Sequence, residues 1–193
     1  IIGDRAFSDD PEIISRLGQA CCDGLTDGGV MPVIKHIPGH GRATADSHME
    51  LPHVDALSDV LEATDFAPFR ALRHAPAGMT AHIVYDDLDP ENPGSSSSVV
   101  VREVIRDRLG FAGLLFSDDV CMKALQGPLS ERVVSVLDAG CDIALHCDGN
   151  FDDMAAIAET CPQMRAESLA RLTAARPSTA DSQSVDRDMA KRR

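Results

Sequence analysis

Gly113-Leu114-Leu115-Phe116-Ser117-Asp118-Asp119 is an apolar run that stops abruptly on two acids. Its aliphatic and aromatic residues suit a buried strand. Three other segments share the pattern: 31–36, ending in Lys35 and His36; 78–85, carrying His82; and 141–147, with His146 and Cys147 at its end and Asp148 just beyond. Stretches of helical period lie around them. They are 11–25, with Asp10 placed to cap a helix whose first turn holds Pro11, then 58–73, then 98–109 after a four-Ser loop and cap at 95–98, and finally 131–139. Strand, loop and helix, repeated with near-continuous apolar strands, predict an α/β fold with a parallel sheet covered by helices.

The strand ends choose between a doubly wound sheet and a (β/α)8 TIM barrel. Lys35 and His36, His82, Asp118 and Asp119, and His146 with Asp148 all fall at or just past C-terminal strand ends, where barrels assemble their sites. About four βα units make half a barrel, and a whole one takes about 250 residues, against 193 here. The expectation is therefore the C-terminal half of a TIM barrel over 1–175, with the N-terminal half preceding Ile1. The opening Ile1-Ile2-Gly3-Asp4-Arg5, without an initiator Met, reads as a start in mid-domain. Residues 176–193 are rich in Ser, Asp, Arg and Gln with little periodicity, which predicts a polar, poorly ordered tail.

Composition narrows the function classes. A net charge of -13 with no basic stripe argues against nucleic acid as a partner, since phosphate affinity comes mainly from Lys and Arg. No apolar stretch approaches 18 residues and no export signal is visible, so neither a membrane partner nor secretion is expected, and the reading is cytoplasmic. The six cysteines form no disulfide framework and no C-x-x-C pair, and are read as reduced thiols. No cofactor or metal is called for.

The densest chemistry lies in Lys35-His36-Ile37-Pro38-Gly39-His40-Gly41-Arg42-Ala43-Thr44-Ala45-Asp46-Ser47-His48, which leaves a strand and enters a Gly-rich loop. Asp46 stands two residues from His48, so in a turn its carboxylate can hold one ring nitrogen while the other faces the site. Such a partner raises the basicity of the ring, as a proton donor working near neutral pH requires. In the second constellation, alternation along a strand keeps Asp118 and Asp119 from pointing the same way. Asp118 is read as facing the cavity. Asp119 is read as starting a helix through 119–125, where negative charge is favoured.

The long loop, together with Ser117-Asp118-Asp119-Val120-Cys121-Met122, resembles the β-N-acetylhexosaminidases of glycoside hydrolase family 3. Ile2-Gly3-Asp4-Arg5, Ala81-His82-Ile83-Val84-Tyr85 followed by Asp89-Pro90, and Asp138-Ala139-Gly140-Cys141-Asp142 extend the likeness from about residue 2 to 148. The resemblance implies a retaining glycosidase that removes terminal N-acetylglucosamine from peptidoglycan-derived muropeptides, with GlcNAc-anhydroMurNAc peptides as substrate. It implies Asp118 as nucleophile, His48 as acid/base with Asp46 as its partner, and Arg5, Lys35 and His36 as sugar-binding donors. It also implies a bacterial cytosolic setting in cell-wall recycling. The family's earlier barrel strands and an Asp-Gln-Glu-Gly-Gly-type motif do not occur in this sequence.

Two rivals are carried forward. A metal-dependent hydrolase would use His36, His40, Asp46 and His48 as ligands. A non-enzyme would be an inactive or sugar-binding half-barrel. The stretch from Asp87 to Asn92 lacks the glycine and closing acid of a calcium loop and is read as a connection. Met122 is read as lining the sugar pocket or packing in the core, and His146 and Cys147 as packing residues.

Overall fold

The computed structural model describes residues 2–45, 47 and 49–177. Asp46 and His48 lie outside the described residues, as does all of the expected tail beyond Pro177. After a short 3-10 turn, Gly3–Arg5, the chain forms α1 (Pro11–Asp27), β1 (Val33–Ile37), β2 (His53–Val54), α2 (Ser58–Ala63), α3 (Ala67–Ala71), β3 (Ala77–Thr80) and β4 (Val84–Tyr85). A π-helix, Val99–Arg108, precedes β5 (Leu114–Asp119), α4 (Leu129–Ala139), β6 (Ile143–Leu145), α5 (Phe151–Thr160) and α6 (Ala166–Ala175).

Four parallel strands make the main sheet in the order β1-β3-β5-β6, which is chain order without a reversal. A doubly wound sheet needs such a reversal, and successive barrel strands do not. The α/β class and parallel sheet expected from the sequence are thus present.

Local chemistry accounts for the elements. Asp10 caps α1, its Oδ1 accepting from the N–H of Glu12 at 2.8 Å, with Pro11 in the first turn. Gly18 lets this helix approach α3, for a Cβ there would sit 2.8 Å from Leu72 Cδ1. The helix expected over 58–73 is two helices, because Pro68 can neither donate to the carbonyl of Thr64 nor fit its ring beside it in a continuous helix. Glu62 and Arg70 pair across the break. The expected helix 98–109 is wound as a π-helix, with Leu109 N bonded to Val104 O at 2.9 Å. Its wider turn buries Val100, Val101, Val104 and Ile105 together.

Segment 78–85 is not one strand. The chain leaves the main sheet after Thr80, and Val84–Tyr85 pairs with β2 in a separate two-stranded parallel ribbon. The expected helix 119–125 is also absent: β5 runs through Asp119, and turns follow it.

Alternation along β5 sets the two faces. Leu115 belongs to the large core under the helices, and Ser117 lies two residues further along the same side of the strand. Leu114 packs with Ala77 and Ala175 on the opposite face, with Phe116 and Met31 alongside, where α6 covers the sheet. Asp118 continues that second face past Phe116. The register Lys35↔Met79↔Phe116↔Ile143 places Lys35 on it as well.

Candidate functional site

At the C-terminal ends of β1, β3 and β5, three imidazoles gather round one carboxylate. Asp118 is 9% exposed, and its Oδ1 accepts the N–H of Asp119 at 2.9 Å. Its Oδ2 lies 3.8 Å from His36 Nε2, too far for a hydrogen bond but close enough for the charges to interact. The His36 and His40 rings are tilted at 5.3 Å between centroids. His82 is fully buried, and the charge of Asp118 acts on it as well. Among the described residues, the carboxylate therefore has a single backbone donor and a ring of histidine neighbours.

Burial holds all three imidazoles neutral at pH 7. It pushes His36 down to about 4, with His40, Lys35 and Arg5 adding to the fall and the Asp118 charge opposing it. Burial likewise lowers His40 and His82, again against the pull of Asp118. The His82 tautomer follows from its partner. Its Nε2 lies 3.0 Å from the carbonyl of Asp119, which can only accept, so Nε2 carries the proton and Nδ1 keeps a lone pair. Among the described residues, that Nδ1 is buried without a hydrogen-bond partner, as is Nδ1 of His40. Such orphaned ring nitrogens are costly in a purely structural role.

Of the residues expected from the sequence, Asp118, His36 and His40 meet at this mouth. Lys35 is exposed on the same face of the sheet, and its charge reaches His36 and Cys147. Arg5, in the exposed 3-10 turn, is close enough for its charge to act on His36 and His40. The expected Asp46/His48 dyad lies outside the described residues, and so do half of the ligands of the metal-hydrolase rival. Met122 is buried but sits in the turns after β5, not on a helix. Asp119 does not start a helix either. Its Oδ1 accepts the N–H of Cys121 at 3.0 Å and of Cys147 at 3.1 Å, tying the turn after β5 to the end of β6.

The loop that carries His40 is fixed from outside the mouth. Tyr85 Oη donates to Gly39 O at 2.7 Å. Arg42 Nε donates to Asp65 Oδ2 at 2.6 Å from the break between α2 and α3. Gly39 is required at that contact, since a Cβ there would lie 2.9 Å from Asp65 Cβ. Neither Asp65 nor Tyr85 was singled out from the sequence for this role, and only their pairing in space reveals it.

A second cluster was missed. Cys121, His146 and Asp148 each place a ligand-type atom within 4.8 Å of the others, beside Asp119 on the same rim. The sequence places His146 at a strand end, where packing is the commoner role, and its nearness to Cys121, on the other side of α4 in the chain, appears only in the fold.

The chain is similar to known proteins over most of its length. The model for the glycosyl hydrolase family 3 N terminal domain matches residues 1–175. A beta-hexosaminidase from Tolumonas auensis is 42% identical over 178 residues, covering 88% of this chain and 52% of that protein. One from Thiobacillus denitrificans is 46% identical over 154 residues, covering 77% and 42%. The chain thus spans about half the length of the curated relatives it matches. Among solved structures, NagZ from Neisseria gonorrhoeae in complex with N-trifluoroacetyl-D-glucosamine aligns with a TM-score of 0.84 at 33% identity, over 98% of this chain and 57% of that one. A family 3 beta-N-acetylglucosaminidase from Paenibacillus sp. str. FPU-7 aligns with a TM-score of 0.84 at 29% identity, over 96% and 38%.

Proposed function

Because the chain belongs to glycosyl hydrolase family 3, we propose that it carries the nucleophile and acid/base side of a retaining β-N-acetylhexosaminidase. The substrate would be terminal non-reducing N-acetylglucosamine on peptidoglycan-derived muropeptides, handled in the cytoplasm. Residues 1–175 would form the C-terminal half of the barrel and 176–193 a polar appendage. The observation that carries the proposal is Asp118: a nearly buried carboxylate at the C-terminal end of β5, with one backbone donor among the described residues and three neutral imidazoles around it.

Each part of the proposal has a physical basis. A nucleophile must stay ionised yet sparsely solvated, and a carboxylate with few hydrogen-bond donors meets that condition better than one locked in an ion pair. Asp118 would attack the anomeric carbon while His48, steadied by Asp46, protonates the departing oxygen. In the second step His48 would take a proton from water as the glycosyl–Asp118 bond breaks, so that two inversions give net retention. Neutral His36 and exposed Lys35 and Arg5 would donate to the hydroxyls of the sugar. Keeping the imidazoles uncharged preserves the nucleophilicity of Asp118, because an adjacent imidazolium would bind its charge.

A mechanism-based 2-acetamido fluorosugar tests this directly. Incubation with the protein, proteolysis and mass spectrometry should place the glycosyl label on the peptide containing Asp118. Label on another carboxylate would overturn the assignment. The second reading, a sugar-binding half-barrel without turnover, is favoured by β1 pairing with β3 alone, which leaves it an edge of the sheet among the described residues. Retained sugar binding with no labelling at any carboxylate would select it.

A further inference from the structure

We infer that Cys121, His146 and Asp148 form a binding site for a borderline-soft divalent cation of the zinc type, set on the rim beside the candidate site and separate from it. The topology brings these residues together. Cys121 lies in the turn after β5, while His146 and Asp148 directly follow β6. Pairing of Asp119 with Leu145, and the bond from Val120 N to Leu145 O at 2.8 Å, hold the two segments side by side. The Asp119 carboxylate then clamps them by accepting from Cys121 N and Cys147 N.

The donor atoms have the spacing that a cation needs, and one of them, His146 Nε2, lacks a partner among the described residues. All lie within 4.8 Å of one another, and His146 Nε2 is 3.0 Å from Asp148 Oδ1. Ligands at zinc bond lengths of about 2.0–2.3 Å stand roughly 3.4 Å apart in a tetrahedral shell, so small side-chain rotations close the site. His146 Nε2 is buried and, despite the nearby carboxylate, has no hydrogen bond of acceptable geometry. A bound cation would satisfy it. Asn150 N donates to Asp148 Oδ1 at 2.9 Å, and the Asp148 side chain is 44% exposed, so one ligand is oriented from outside and open to entering ions.

The donor chemistry selects the class of ion. One thiolate, one imidazole and one carboxylate suit zinc or its neighbours and are a poor set for magnesium or calcium, which take oxygen ligands. Binding would convert the Cys121 thiol to a metal-bound thiolate and release its proton to solvent. Three protein ligands leave a fourth position for water.

The test uses the full chain after dialysis against a chelator, titrated with Zn²⁺ in competition with a chromophoric chelator and, separately, with Co²⁺. One Zn²⁺ should bind per chain, and the Co²⁺ adduct should show a thiolate-to-metal charge-transfer band. Cys121→Ser should remove that band. Both Cys121→Ser and His146→Asn should weaken Zn²⁺ by more than about 100-fold, beyond the loss expected from an outer-shell partner alone. Cys147→Ser and His36→Asn, which change the exposed neighbouring thiol and the mouth cluster, should bind like the parent. Absence of stoichiometric binding would overturn the inference. So would a band that survives Cys121→Ser but not Cys147→Ser, or a loss of affinity in His36→Asn comparable to that in His146→Asn. Circular dichroism of each variant separates a lost ligand from a lost fold, and His146→Asn alone suffices to decide if Cys121→Ser does not fold.

Discussion

Two buried aspartates stand at opposite ends of neighbouring strands, and their surroundings differ sharply. Asp142 precedes β6, and its side chain is fully buried. Its Oδ2 accepts from Arg106 Nη2 at 2.8 Å and Leu115 N at 2.9 Å, and its Oδ1 from Ser168 Oγ at 2.6 Å and Arg171 Nη1 at 2.8 Å. Burial alone would raise its pKa. The Ser168 hydroxyl, the Leu115 N–H and the two arginines outweigh burial and hold it below the usual carboxylate range. Asp118, at the far end of β5, has one backbone N–H among the described residues. A carboxylate with every lone pair engaged is a clamp: it ties the π-helix, β5, β6 and α6 at the N-terminal rim of the sheet. One left with spare lone pairs at the C-terminal strand ends is available for chemistry. The division matches barrels in general, in which the N-terminal rim serves stability and the C-terminal rim function.

Replacing each acid by its amide breaks the comparison most directly. Asp118→Asn should lower turnover of an aryl N-acetyl-β-glucosaminide by at least about 10⁴-fold, the scale for removing a covalent nucleophile. Its thermal midpoint should hardly move, since the amide oxygen can still accept from Asp119 N. A variant with near-parental turnover would remove Asp118 from the mechanism.

Asp142→Asn should do the reverse. It leaves the Arg106 and Arg171 guanidiniums facing an uncharged amide whose NH₂ opposes their donors, a loss of about 3–5 kcal/mol. In a chain of 193 residues that corresponds to roughly a 10 °C fall in Tm. A Tm within about 2 °C of the parent, from ΔΔG near 1 kcal/mol or less, would deny the clamp.

The two ends should also respond to acid in different windows. Groups held neutral by burial bind fewer protons in the folded than in the unfolded chain. Stability at the His36 end should therefore fall as the pH drops from 6.5 toward about 4. His40 and His82, lowered for the same reason, act in the same direction. Asp142, with its pKa below 3.8, keeps its contribution through that window and loses it only at lower pH. From His36 alone the cost at pH 4 is at most on the order of 3 kcal/mol. Urea midpoints between pH 7 and 4 should therefore decline in the parent and decline less steeply in His36→Asn. Parallel curves would show that His36 titrates normally.

What could be read in advance tracks how local its cause is. Helix α1 was legible because Asp10 and Pro11 act on adjacent backbone groups. Strand β5 was legible through Asp118, since a near-continuous apolar run, buried on both faces, stops on acids. The departure of the chain at Ala81 was not, because it depends on bonds from Val84 N to Pro52 O and Asp86 N to Val54 O, partners supplied by a two-residue strand and the proline just before it. Asp142 entered the sequence reading only as part of a motif leading into a strand, because its donors Leu115, Ser168 and Arg171 lie 26–29 residues away. The site was half legible in the same sense. Asp118 and His36 announced themselves by type and position, whereas the orphaned nitrogens of His40 and His82 and the Cys121–His146–Asp148 cluster required the sheet register.

A smaller perturbation sharpens the contrast by asking whether the functional rim is held from outside. Tyr85 is fully buried, stands edge-on to Phe66 with centroids 5.9 Å apart, and gives its hydroxyl to Gly39 O, one residue before His40. Burial raises its pKa well beyond the ordinary phenol value, so the hydroxyl remains a donor at any working pH. Tyr85→Phe keeps the ring packing and leaves one buried carbonyl unsatisfied, a loss of about 1–2 kcal/mol. The comparable deletion at the other rim, Ser168→Ala, leaves Asp142 with its two arginines and should cost about as much. The two should part in catalysis. Loosening the Gly39 carbonyl frees the loop bearing His40, so Tyr85→Phe should lower kcat by about 10-fold or more, since small misplacements are expensive in a preorganised site. Ser168→Ala should leave kcat unchanged. Equal kcat values for the two variants would mean that the loop keeps its shape without the phenol, and that the functional rim is as self-supporting as the clamp around Asp142.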